Sequence, residues 1–268
     1  MKFPFDLLKS KTPVLNNLST ADRKSKYIAC FGNTKHLELL VQFTELETLW
    51  LSGVNDKQLS KVSELTSIET LIIHDLRTSD LSQLVKFPSV KTLLIWGNTK
   101  ATSLFGLTNL SRLSILGLEH FPKIRDVKEI SDINNLKMLC LTGSVDTALK
   151  IESLSPLGIL KQLKLLHITN LRVSDESLDF ITQLKELVEL QVSNQFPTQE
   201  YAKLKGKCGY LRCTHFSPFI SSSIKCEICG CAQVMVVGKR KPFICPSCKP
   251  DRLKKYQADF EALVTRAT

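Results

Sequence analysis

The chain has 268 residues, 43% of them apolar, and a formal net charge of +10. That is enough apolar material for a long core and more than one folding unit, yet no run approaches the ~20 apolar residues that a membrane-spanning helix needs. The first nine residues lack a secretory apolar region and cleavage site, so the expectation is a cytoplasmic protein with no membrane segment.

The charge is uneven along the chain. Residues 1–36 carry seven Lys or Arg against two acidic residues, residues 37–205 carry 18 against 20, and residues 206–268 carry 11 against four. A body built to ride on a phosphate backbone would show a basic stripe of its own, so nucleic-acid contact is expected only at the ends, the C-terminal end above all.

Residues 1–36, with the apolar Phe3, Phe5, Leu7 and Leu8, read as an N-terminal cap. From residue 37 the apolar residues follow one template seven times, L-x-x-L-x-x-L-x-x-L-x-x-L-x-L, starting at Leu37, Leu59, Leu81, Leu104, Val127, Leu154 and Leu178. The starts lie 22, 22, 23, 23, 27 and 24 residues apart. Within each copy the period changes. Leu59, Val62, Leu65 and Ile68 recur every three residues, as a 3₁₀ or irregular helical turn places them on one side. Ile68, Leu71 and Ile73 then move to alternation, as in a short strand. One such unit cannot bury its own leucines, so neighbours must stack. An ordinary helical bundle would need a sustained period near 3.6, which is missing.

On this spacing, residues 37 to about 195 resemble the leucine-rich repeat family. The resemblance implies an α/β solenoid of seven repeats over residues 37–200, with a parallel, concave sheet. The asparagine expected after each strand is present at Asn170 and Asn194 and mostly replaced elsewhere.

The register yields a map of the inner face. Successive strands point outward Thr48, Trp50 and Ser52, then Thr70, Ile72 and His74, then Thr92, Leu94 and Trp96, then Ile115, Gly117 and Glu119. Both tryptophans of the chain lie there. Trp50, Ile72 and Leu94 form one row, and His74, Trp96 and Glu119 the next. Two strand spacings, about 10 Å, separate the tryptophans, so they can belong to one patch. These six residues are the candidate partner-binding set. The competing reading is coverage of the patch by the chain's own N-terminal segment or C-terminal tail.

Residues 201–223, with Gly206, Gly209, Pro218 and a serine run, read as a junction. Beyond it, Cys226 and Cys229, then Cys245 and Cys248, form two C-x-x-C pairs with 15 residues between them. Two such knuckles can place four thiolates around one metal ion. The intervening segment reads as two strands joined by the basic turn Lys239-Arg240-Lys241. Residues 224–249 thus resemble a zinc ribbon, which implies a structural Zn²⁺ on Cys226, Cys229, Cys245 and Cys248. Disulfides and a redox pair are the weaker alternatives, for lack of an oxidising compartment or a βαβ context. Residues 250–267 complete the 224–268 unit as an amphipathic helix, with Leu253, Tyr256, Phe260, Leu263 and Val264 on one face, expected to pack on the ribbon or the last repeat.

Of the remaining cysteines, Cys30 and Cys140 read as packing residues. Cys231 falls outside the quartet, and Cys208, Cys213 and His215 form a permissive pattern for a second site. No nucleotide loop, metalloprotease helix or nucleophile elbow occurs. Cys140 and His167 occupy equivalent positions in adjacent copies, but without oxyanion donors or an orienting acid they read as a surface pair. The expectation is a non-catalytic intracellular module that binds a protein on its concave face, for which an inhibitor, an immunity-type antagonist or a scaffold would each fit. The alternative is a nucleic-acid-associated adaptor whose basic ribbon contacts DNA or RNA.

Overall fold

A computed structural model describes residues 14–62 and 64–267 of the chain. Phe3, Phe5, Leu7 and Leu8 lie outside the described residues. The strands in chain order are β1 (Val14–Asn17), β2 (Tyr27–Lys35), β3 (Thr48–Ser52), β4 (Thr70–His74), β5 (Thr92–Trp96), β6 (Ile115–Glu119), β7 (Met138–Thr142), β8 (Leu149–Ile151), β9 (Leu165–Thr169), β10 (Leu171–Val173), β11 (Glu189–Val192), β12 (Phe219–Lys225), β13 (Ala232–Val236) and β14 (Phe243–Ile244). Nine of them make one parallel sheet in the order β1-β2-β3-β4-β5-β6-β7-β9-β11. Strands β8 and β10 pair beside it, and β12, β13 and β14 form a separate antiparallel sheet.

The period of three has a direct cause in the backbone. Phe43 N–H donates to the Leu40 carbonyl at 3.1 Å and Leu46 N–H to that of Phe43 at 3.1 Å; Leu107, Leu110 and Leu113 each donate to the template leucine three residues before, at 2.9 to 3.1 Å. The residues that fill the core therefore also carry the 3₁₀ bonds, which bring side chains at i and i+3 onto one side. In two copies the turn is a short α-helix instead, α1 (Asp56–Ser60) and α2 (Lys128–Ser131).

A second repeated device joins the copies. The Lys26 carbonyl accepts from the N–H groups of Glu47 and Thr48, that of Glu47 from Glu69 and Thr70, and that of Glu69 from Lys91 and Thr92. The same two-to-one bond recurs from Lys91, Ser114, Lys137 and Lys164 onward. It sets each strand beside the last without slippage, so the register is in step from Thr48↔Thr70 through Met138↔Leu165. The inward leucines then stack into one continuous core, with Leu49, Leu71, Leu93, Leu116, Leu139 and Leu166 all buried.

Two strands, β1 and β2, precede the first leucine template. In β2 Ile28, Ala29 and Cys30 are buried while Tyr27 and Phe31 are exposed, and the register sets Tyr27, Ala29 and Phe31 on the inner face as in the repeats, with other residue types. At the opposite end, α3 (Thr198–Cys208) packs on the last turn. Arg212 continues the ladder past β11, its N–H reaching the Val188 carbonyl and its carbonyl receiving Leu190 N–H, each at 3.0 Å. The final helix, α4 (Pro250–Thr265), packs against α3, and its Phe260 is buried. Gly206 of α3 allows this approach, since a Cβ there would meet the Val264 carbonyl oxygen at 2.9 Å. No helix among the described residues is long and apolar enough to cross a membrane.

Among the described residues, Thr78 and Asn98 are the most enclosed polar side chains of the solenoid, and Asn98 is the one whose amide is satisfied on both sides. Asn98 is 1% exposed; its Nδ2 donates to the Thr78 carbonyl at 3.0 Å, and its Oδ1 accepts from Lys100 and Ala101 N–H at 2.8 Å each. It thus ties two copies together through groups that nothing else would satisfy. Removing the amide leaves buried backbone groups unpaired, so Asn98→Ala is expected to destabilise the solenoid by about 2 kcal/mol. Urea unfolding of the two proteins measures this, and an unchanged midpoint would contradict the assigned role.

Candidate functional site

The concave face is built from rows that the register aligns. One row runs Ala29, Trp50, Ile72, Leu94, Gly117, Cys140, His167 and Gln191; the next runs Phe31, Ser52, His74, Trp96, Glu119, Thr142 and Thr169. The six candidate residues therefore stand on four adjacent strands. Their accessibility differs. Trp96 is 46% exposed and His74 is exposed, Trp50, Ile72 and Glu119 are half-buried, and Leu94 is only 3% exposed. Met138 and Cys140 farther along are likewise buried.

Around Trp96 the geometry is specific. The His74 ring meets it edge-on, with centroids 5.2 Å apart at 73°, and His74 Nδ1 lies 3.2 Å from the Ser52 hydroxyl. An edge-to-face pair of this kind holds both rings in place. On the other side, burial pushes the Glu119 carboxyl above the usual carboxylate range, against a smaller pull from His120. Tyr27 and Phe31, 57% and 44% exposed, add aromatic surface on β2 that the sequence reading missed. Their signal was the alternation Tyr27-Ile28-Ala29-Cys30-Phe31, hidden because the segment carries none of the template leucines.

Cys140 and His167 are register partners, as expected from sequence. Burial, and then the Glu119 charge, push the Cys140 thiol up, the opposite of what a nucleophile needs. His167 Nε2 lies 3.1 Å from the Thr169 hydroxyl.

The second constellation lies on the three-stranded sheet. Cys226 follows β12, Cys229 lies in the turn before β13, Cys245 follows β14, and Cys248 precedes α4. All four sulfurs lie within 4.8 Å of one another, with Cys226 to Cys248 at 3.9 Å and Cys229 to Cys245 at 3.4 Å. A tetrahedral metal with sulfur bonds near 2.3 Å requires sulfurs about 3.8 Å apart, so the donor set fits one ion with no open position. The knuckle turns on Gly230 at φ +72°, whose N–H donates to the Cys226 carbonyl at 2.9 Å. The Cys248 N–H holds the Cys245 thiol below its ordinary range. The remaining thiols and imidazoles do not gather in this way. Among the described residues the quartet is the one group of three or more His, Cys, Asp or Glu side chains able to share an ion, so Cys208, Cys213, His215 and Cys231 form no second site.

His215 instead belongs to the packing between α3 and the sheet end. It is 6% exposed, stacked on Tyr201 at 5.1 Å, and its Nε2 has no hydrogen-bond partner among the described residues.

No protein-family profile and no curated protein matches the chain. Solved structures do. An internalin from Listeria monocytogenes is similar with a TM-score of 0.55 and 20% identity, over 71% of this chain and 54% of that one. The chain thus spans about half the length of that protein. Internalin C2 from the same organism is similar at TM-score 0.49 and 21% identity, over 63% of this chain and 73% of its own. A leucine-rich repeat protein from Leptospira interrogans is similar at TM-score 0.30 and 16% identity, over 70% and 76%. The first of these, with the nine-stranded parallel sheet, shows the fold: the body of the chain is a leucine-rich repeat solenoid.

The environment of His215 gives a pH prediction. Burial lowers its pKa from 6.5 to about 4, so the unfolded chain takes up a proton at a higher pH than the folded chain does. The stability associated with neutral His215 is therefore complete above pH 6.5 and is lost progressively as pH falls toward 4. Urea midpoints between pH 7 and pH 4.5 should fall more steeply for the wild type than for His215→Phe, and parallel slopes would refute the assignment.

Proposed function

We propose that this leucine-rich repeat chain is a non-catalytic protein-binding module, and that its partner seats on the inner face of β2 to β6. The observation that carries the reading is the exposed Trp96, held edge-on by His74 beside the half-buried Trp50, Ile72 and Glu119. An aromatic anchor with polar neighbours on a rigid sheet is the composition of a binding hot spot, where ordering costs little on association. Tyr27 and Phe31 widen the patch toward the N-terminal edge, and the buried Leu94 forms its floor. An inhibitor, an immunity-type antagonist and a scaffold would each use such a face; the identity of the partner distinguishes them.

The basic tail supports nucleic-acid contact less well. Its Tyr256 ring is approached by Lys241 at 5.6 Å and Arg252 at 6.0 Å, so the chain's own cations engage the aromatic face on which a base would stack.

The metal reading is that Cys226, Cys229, Cys245 and Cys248 hold a structural Zn²⁺. The support is a closed four-thiolate donor set at tetrahedral spacing, the arrangement of structural zinc. A reducing compartment such as the cytoplasm belongs to this reading, because oxidised thiols cannot serve as ligands.

Two measurements test these assignments. Replacing Trp50 and Trp96 together by Ala should cost about 2 kcal/mol or more of partner affinity, roughly thirtyfold, with an unchanged circular dichroism spectrum. A partner captured from native extract by the wild type and retained equally by the double variant would refute the face assignment. Elemental analysis of protein never exposed to chelator should find about one zinc per chain. Stripping that metal should strip amide-exchange protection from 219–249 and leave β3 to β7 protected. Zinc-free material with the same protection would overturn the metal reading.

A further inference from the structure

A cleft of about 630 Å³ lies away from both constellations, where the loops that follow β7, β9 and β11 meet the basic turn of the ribbon. Its walls come from distant parts of the chain. Asp146 and Val145 form one lip, β10 supplies Arg172, the loop after β11 supplies Gln195, and the ribbon supplies Lys239 and Arg240.

The cleft is held open by a dense set of bonds. Asn194 accepts from Gly238 N–H at 2.6 Å and donates to the Val236 carbonyl at 2.9 Å; Thr198 donates to the Val237 carbonyl at 2.9 Å; and Lys239 N–H reaches the Phe196 carbonyl at 2.7 Å. Lys239 also pairs with Glu176. The basic turn is therefore docked on the solenoid through its backbone, which leaves the Arg240 side chain out of the joint. Arg240 itself sits at φ +59°, an uncommon backbone conformation for a residue other than glycine.

The alternation of β10 does the same for Arg172. Leu171 and Val173 on either side of it are buried, so Arg172 is turned outward, with Lys150 of β8 as its register partner. Among the described residues neither guanidinium has a hydrogen-bond or ion-pair partner, although both line one cleft. Gln195 lines the same cleft. Its Oε1 accepts from Leu171 N–H at 3.0 Å, while its buried Nε2 has no partner among the described residues. A buried amide hydrogen without an acceptor is rare in folded proteins and calls for one.

We propose that this cleft binds a small organic phosphomonoester, of the size of a nucleoside monophosphate. Two unpaired guanidinium forks match phosphate oxygens in a two-point manner that a single lysine cannot reproduce. The volume falls within the range of small-molecule sites, larger than a bare phosphate fills. Val145, 95% exposed at the lip, and the apolar flank of the loop offer contact to the organic part. Asp146 is the one acidic residue of the lining and opposes the anion. This site is independent of the concave face.

The test is calorimetric titration of the metal-loaded 268-residue chain with adenosine monophosphate and, separately, with inorganic phosphate, at low ionic strength where such contacts are least screened. The nucleotide should bind at one saturable site, and more tightly than inorganic phosphate. Arg172→Gln with Arg240→Gln should weaken it by about tenfold or more, and Asp146→Asn should strengthen it. Both arginines are exposed and unpaired, so the double variant should keep the wild-type thermal midpoint and the result is a binding effect. Absence of saturable binding, or affinity unchanged in the double variant, would overturn the proposal. Equal affinity for inorganic phosphate and the nucleotide would overturn its organic part.

Discussion

Everything in this molecule depends on leucines whose backbone and side chain work together. In most copies the N–H groups of the turn's template residues, such as Phe43, Leu46, Leu107, Leu110 and Leu113, close 3₁₀ bonds to the apolar residue three before, and the same residues' side chains fill the space between neighbouring copies. The turn cannot relax without opening the core, and the core cannot shift without breaking the turn. Because each copy contacts mainly its neighbours, stability accumulates by stacking. The carbonyls of Lys26, Glu47, Glu69, Lys91, Ser114, Lys137 and Lys164 then link the strands at one fixed offset. A rigid ruler results, with side chains on successive strands about 4.8 Å apart.

That ruler is what makes a surface out of residues remote in sequence. Trp50 and Trp96 are separated by 46 positions, yet stand two strands apart. His74 between them can meet Trp96 edge-on and reach Ser52 because all three sit in one row. The ends of the ruler are treated differently. At the start, β1 and β2 extend the sheet with residues of another type, whereas at the finish Arg212, α3 and the ribbon close it. The ribbon is not a loose appendage, since Asn194, Thr198 and Lys239 join it to the last turns. Any ion held by the four cysteines therefore acts on the solenoid end as well as on its own sheet.

Some of this was legible in the residues and some was not, for physical reasons. The interval of 27 residues between Val127 and Leu154 is the longest of the series, and the structure shows that it holds β8, which pairs with β10 of the next copy. Tyr27 to Phe31 went unrecognised as a repeat strand because Ile28 and Cys30 do the burying there. Leu94 looked like an exposed member of the aromatic patch, since alternation reports which face a side chain takes and carries no information about how much solvent that face receives. Asn98 lies one register position beyond that of Asn170 and Asn194 and therefore outside the asparagine pattern, although it performs the same task of satisfying loop backbone.

The sequence by itself determined the repeat, its register, the residues on the inner face and the four cysteines. All of these follow from spacing along the chain, and a strand or a turn converts spacing into direction without reference to anything distant. Only the tertiary structure decided which inner-face residues are accessible, that His215 is buried on Tyr201, and that Arg172 and Arg240 share a cleft. These depend on how the last turns, the ribbon and α4 pack together. That packing is set by a few bonds between residues some 40 positions apart, such as those of Asn194 to Val236 and Gly238, and no local pattern records them.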